Sequence, residues 1–265
     1  MRKNYSAQSK ILFSMVFGIA VYSFVYFVVI LTLGEYTDSL PYKGHFVQAA
    51  ATLMSGIFSF LTFKTAERKE TLKDKKAFFA DKPYFLPIVI VTAFAMTVSF
   101  NFLLSLFPWD VFNSTENIVQ NNESFYSIPL SFRLLTYVII TPLSEEILFR
   151  GIIFKRFDSI LSLWGSTLAA AAIFGIYHGN LQQGIYAFVN GIVMCLIVHY
   201  GGSLFYSFVY HMIANLISNL CFEYEHINNV VYHPLSIILC MVYLVVAIIL
   251  YYVIKNRLTK KDKEC

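Results

Sequence analysis

The sequence predicts an all-α, polytopic membrane helix bundle of about eight transmembrane helices, with both termini cytoplasmic. Three observations predict it. Of 265 residues, 57% are hydrophobic and only 14% charged, against about 25% charged in ordinary soluble domains. The apolar residues gather into eight runs, each able to cross a ~30 Å hydrocarbon layer as a helix, though the fifth and sixth are short. Lys and Arg collect on alternate connections between those runs. The same composition excludes disorder. Cys195, Cys221, Cys240 and Cys265 have no CxxC spacing and no paired pattern, so they indicate neither a zinc knuckle nor a disulfide framework.

The first run, Ile11–Leu33, follows Arg2, Lys3 and Lys10 as a signal peptide does. It is too long for the apolar stretch of a signal peptide and ends without a small-residue cleavage pattern, so it reads as a retained helix. The second and third runs are Phe46–Phe63 and Tyr84–Phe107. The fourth, Leu130–Phe154, contains Pro142, which removes a backbone hydrogen bond and can kink the helix. The remaining runs are Trp164–Tyr177, Gly184–Tyr200, Ser203–Phe222 and Leu235–Ile254. No run alternates with period two, and a bilayer admits only helices or closed barrels.

Orientation follows from the basic residues. Three lie in the N-terminal tail, seven between Lys64 and Lys82, two at Lys155 and Arg156, and five in the C-terminal tail, seventeen of the twenty. The other side holds Lys43 and Arg133, and Arg150 lies within the fourth run. The positive-inside rule therefore places both termini in the cytoplasm. The segment Pro108–Pro129, with Asp110, Glu116 and Glu123 and no Lys or Arg, is expected outside. The basic stretch Lys64–Lys82 reads as a topology signal in contact with anionic lipid headgroups, not as a nucleic-acid surface. The triplets at Asn113 and Asn122 match a glycosylation acceptor but arise often by chance. No internal repeat or second soluble domain is visible. The chain reads as one transmembrane domain over residues 1–265, with a motif core over 141–220.

Ionisable groups in lipid are costly and by default mark function. They fall in the fourth, fifth and seventh runs: Glu145, Glu146 and Arg150, then His178, then His211 with Asn215. His199, at the cytoplasmic end of the sixth run, can reach the headgroups. Glu146 and Arg150 are four residues apart on one helix face and are expected to pair. Glu145 is turned ~100° away and has no partner on its own helix. His211 and Asn215 share a face in the same way. Gly175 and the run Ala169–Ala172 give the helix before His178 a small face that admits close neighbours. From the nearest boundary residues, Glu145 lies ~15 Å deep, His178 ~18–24 Å, His211 ~12 Å and Asn215 ~18 Å. Matched depth on helices of alternating direction points to one polar site inside the bundle.

These residues fall in three motifs: Glu145-Glu146-Ile-Leu-Phe-Arg150, Phe174-Gly-Ile-Tyr-His178 and His211-Met-Ile-Ala-Asn215. In this order they resemble the CPBP family, which contains the type II CAAX prenyl endopeptidases and bacteriocin-processing or bacteriocin-immunity proteins. The resemblance covers about Thr141–Leu220, and the first three runs carry no signature. It implies an intramembrane endopeptidase acting on a membrane-associated, prenylated or leader peptide in a multi-pass cell-membrane protein. Glu145 then matches the general base and His178 its partner. His211 and Asn215 match the pair on the opposite wall, with Glu146 and Arg150 as structural support.

Two mechanisms fit these side chains. In one, Glu145 and His178 activate water while His211 and Asn215 donate hydrogen bonds to the oxyanion. In the other, His178, His211 and a carboxylate, with Glu145 as base or ligand, bind Zn²⁺, which activates the water. The metalloprotease label common among relatives favours the second. The amide of Asn215, an uncommon zinc ligand, and the lack of a His-Glu-x-x-His helix favour the first. The main alternative is a non-catalytic bacteriocin-immunity or binding protein of the same fold. A proton-coupled transporter also uses buried Glu and His, but predicts repeated halves that this sequence lacks. Neither nucleic acid nor a particular oligomeric state is indicated.

Overall fold

The computed structural model describes residues 2–36, 42–67, 82–108 and 128–264. Those residues are almost entirely helical and contain no strand. In chain order the helices are α1 (Arg2–Tyr36), α2 (Lys43–Glu67), α3 (Phe85–Ser105), α4 (130–160), α5 (Leu163–Tyr177), α6 (Leu181–Gly201), α7 (Leu204–Glu223), the short α8 (Glu225–Val231) and α9 (Pro234–Glu264). Residues 68–81 and 109–127 lie outside the described part. With them go most of the basic stretch and the segment with Asp110, Glu116, Glu123 and both acceptor triplets.

Each of the eight apolar runs falls on one of these helices, overhanging by at most two residues at the ends of α3 and α7. Among the described residues five unbroken helices are long and apolar enough to cross a membrane, or six if α8 and α9, bent by 49° at their junction, form one span. The two runs outside that set are α4 and α5. The α4 run stays helical throughout, yet it changes register: Leu134–Ile140 and Ile147–Phe154 are π-helical, on either side of the α-helical Thr141–Glu146. Helix α5 has only 15 residues.

Caps and glycines set the turns that keep consecutive helices antiparallel. Ser162 caps α5 by accepting from the Gly165 N–H at 3.2 Å, and Asn180 caps α6 by accepting from the Gln183 N–H at 2.8 Å. Gly179 and Gly202 take φ values of 73° and 71°, which a side chain disfavours, so each helix stops and the chain reverses.

Helix α4 is the centre of the bundle. Helices α1, α2, α5, α6 and α7 all pack against it, while α3 bridges α6, α7 and α9. One apolar core joins Phe149, Ile152 and Ile153 of α4 to Phe174 of α5, Met194 of α6 and Tyr210 of α7. A second joins α3, α7, α8 and α9 through Val98, Ile217, Val231 and Ile237. The outer surface is apolar: Phe13, Phe24, Ile176 and Val230 are all exposed, as lipid-facing positions must be.

Close approach depends on small residues. A Cβ on Gly175 would come 2.8 Å from the Gly184 carbonyl oxygen, so α5 and α6 meet backbone to backbone. Gly56 does the same for α2 against α4. A Cβ there would come 2.8 Å from the Cβ and 3.0 Å from the Cα of Ser144, the residue before Glu145. Gly56→Ala is expected to cost about 1–3 kcal/mol by overpacking. Gly34→Ala, with no atom within 4 Å of its Cβ, is the neutral control. Thermal unfolding of both variants in detergent checks this, and equal midpoints would contradict it.

Candidate functional site

The motif glutamates sit in the short α-helical segment of α4 between its two π segments. Both are buried: Glu145 is 5% exposed and Glu146 1%. The expected pair forms, with Arg150 Nη1 donating to Glu146 Oε1 at 2.8 Å. The same oxygen accepts from His211 Nδ1 at 3.0 Å. A carboxylate only accepts, so Nδ1 is the protonated ring nitrogen and Nε2 faces away from Glu146. His211 Nε2 then lies 3.8 Å from Glu145 Oε2, too far for a hydrogen bond but close enough that both face one point.

His178 is the residue that ends α5, with φ −71° and ψ −13°, just before the reversal at Gly179. It is therefore at a helix end rather than in the interior of a span. Its Nδ1 donates to the Phe174 carbonyl oxygen at 2.8 Å, which again leaves Nε2 as the outward nitrogen. Phe174 joins the pieces. Its ring lies edge-on to His178 at 4.7 Å and to His211 at 6.0 Å between centroids, and the Arg150 guanidinium lies 4.2 Å above it. The motif Phe thus packs between the two histidines and screens the buried Arg150 by a cation–π contact. Glu145, Glu146, Arg150, His178 and His211 are brought together by these contacts.

Asn215 stands one turn beyond His211, and its Nδ2 donates to the Tyr137 carbonyl oxygen of α4 at 2.8 Å. One of its two N–H groups is therefore committed to backbone. Among the described residues no three His, Cys, Asp or Glu side chains are already grouped to hold a metal ion, while Glu145, His178 and His211 supply donor atoms of the kind Zn²⁺ takes.

Several residues at or near the site carry no motif. The Tyr22 hydroxyl of α1 meets that of Tyr177 at 3.5 Å, and both lie within electrostatic reach of Glu145. The ring of Tyr26, one turn on, stacks against Tyr22. The Tyr137 hydroxyl bonds His45 Nδ1 of α2 at 3.0 Å. The fully buried Tyr210, next to His211, donates to Asn190 Oδ1 at 2.6 Å and fixes α7 to α6. The one signal that could have found the first group is the spacing of Tyr22 and Tyr26, which puts two hydroxyls on one face of an otherwise apolar helix. Away from the site, Arg133 is buried and pairs with Glu223, tying the start of α4 to the end of α7. His199 Nδ1 lies 3.6 Å from Asp158 Oδ2.

Membrane-length helices around this buried polar cluster define a multi-pass membrane protein. Residues 127–217, about a third of the chain, match the family model described as Type II CAAX prenyl endopeptidase Rce1-like. The match takes in all three motifs, so this third of the chain is similar to that family. No curated protein and no solved structure matches the chain.

The buried pair gives a direct test of the site's construction. Removing one partner strands the other charge, so Arg150→Ala is expected to cost about 3–5 kcal/mol. The apolar and neutral combination Glu146→Gln with Arg150→Met should recover much of that loss. Unfolding midpoints of the three proteins measure it, and a double variant as unstable as Arg150→Ala would refute the pairing.

Proposed function

We propose that this protein is an intramembrane endopeptidase of the cell membrane. It hydrolyses a peptide bond in a membrane-associated substrate, with Glu145 as general base. The observation that carries this reading is the contrast between neighbouring carboxylates. Glu146 is neutralised by Arg150 and His211, whereas Glu145 has no hydrogen-bond partner among the described residues and faces His211 Nε2. A side chain kept this way in an apolar bundle has a use in chemistry rather than in packing.

In the proposed reaction a water held between Glu145 and His178 Nε2 gives its proton to Glu145 as it attacks the scissile carbonyl, and Glu145 then passes that proton to the leaving amine nitrogen as the C–N bond breaks. The oxyanion is stabilised by hydrogen bonds from His211 and from the second N–H of Asn215. Glu146 supports this role by accepting from His211 Nδ1, which fixes the ring's orientation. Tyr22 and Tyr177 close the site on the α1 side. A mid-membrane site suits peptides that reach the bilayer by an apolar or prenyl tail, or as amphipathic leaders.

General acid–base catalysis contributes about 10²–10⁴-fold. Glu145→Gln should therefore lower turnover by that factor while leaving the unfolding midpoint near wild type. Comparing the membrane peptides of cells carrying each protein reads this and identifies the substrate in the same measurement. A product present with wild type and absent with Glu145→Gln supports the proposal, and identical peptide profiles refute it. Activity lost to a chelator and restored by zinc would refute the glutamate-dependent mechanism specifically.

A further inference from the structure

We infer that Asn215 and Pro142 form a register lock: the side-chain amide of Asn215 replaces the backbone N–H that Pro142 lacks, and so sets the position of Glu145. An α-helical carbonyl accepts from the N–H four residues on, and a π-helical one from five. Pro142 has no N–H, so one carbonyl of α4 must go without a partner in either register. In the α register it is that of Val138. In the π register it is that of Tyr137.

Here the register is π. The Thr141 N–H donates to the Thr136 carbonyl oxygen, five residues back. The next donor in that series would be position 142, which has no N–H, so the Tyr137 carbonyl receives no backbone donor from that series. It is the carbonyl that Asn215 Nδ2 reaches at 2.8 Å. Moving to the α register would shift the orphan one residue, about 100° around the helix, away from this amide. The π segment, the proline and the asparagine are therefore one device.

The consequence for the site is positional. Pro142 lies three residues before Glu145, and Asn215 lies one turn after His211. A single amide–carbonyl bond thus fixes both the rotation of α4 at Glu145 and the height of α7 at His211. This makes Asn215 a positioning residue in addition to any contact with the reacting groups. Only the consequence for Glu145 as a base rests on the proposed hydrolysis, because the bond itself can be read from stability without a substrate.

The test uses the full chain in detergent as four proteins: wild type, Asn215→Ala, Pro142→Ala and the double variant. Asn215→Ala should lower the unfolding midpoint by roughly 3–10 °C, the expectation for one part-buried carbonyl that loses its amide donor. Pro142→Ala restores an N–H in either register, so the double variant should regain most of the loss. Equal losses from Asn215→Ala in the two backgrounds would overturn the lock. As a control, Pro142→Ala should not rescue His211→Ala, and rescue there would equally overturn it. Positioning is read from the carboxyl infrared bands assigned by difference against Glu145→Gln. They should move in Asn215→Ala and return in the double variant, and unmoved bands would overturn the positioning role.

Discussion

One carboxylate oxygen, Oε1 of Glu146, is the constraint on which the site is built. It accepts from Arg150 on its own helix and from His211 on α7. In a low-dielectric interior a carboxylate and a guanidinium can be kept only as a pair with good geometry. The shared oxygen satisfies the pair and recruits the histidine in one step. Phe174 covers the guanidinium on the other side. Once Glu146 is occupied in this way, its neighbour Glu145 is the remaining acidic group of the segment, and the helix turns it toward the histidine edge that Glu146 leaves open.

The rest of the bundle holds that arrangement in register. Gly56 lets α2 lie against the backbone beside Glu145, and Tyr210 with Asn190 fixes the neighbour of His211 to α6. Arg133 with Glu223 ties the far ends of α4 and α7. Helices α4 and α7 are thus joined at three levels, by Arg133, Asn215 and His211. Two rods pinned at three heights cannot slide past one another, which is what a site divided between them requires.

Much of this is legible in the sequence because it depends on spacing along one helix. The Glu146–Arg150 pair follows from a separation of four residues, and the turn of Glu145 away from it follows from the helical period. The helices follow from apolar run length. What depends on register is not legible. The two π segments of α4 are an example, since no letter of the sequence marks a π turn. Pro142 announces a missing hydrogen bond, but which carbonyl loses its donor depends on that register. The partner of Asn215 is hidden for this reason. Counting residues from the near boundary puts His178 ~18–24 Å deep, but only the structure shows that Gly179, with a positive φ, ends the helix directly after it. The contribution of α1 stays hidden because tyrosines among phenylalanines do not stand out in hydropathy.

The brevity of α5 has a mechanical consequence for the surrounding lipid. At 1.5 Å per residue its 15 residues span about 22 Å, short of the ~30 Å hydrocarbon thickness. The deficit is a hydrophobic mismatch, which bilayers relieve by thinning beside the short element. The polar turn His178-Gly179-Asn180 closes that short helix, so headgroups and water are drawn inward there. For the hydrolysis proposed above, the flank of α5 is then the natural entry for an anchored chain, whose polar part descends where the bilayer is thin while its tail stays in oil.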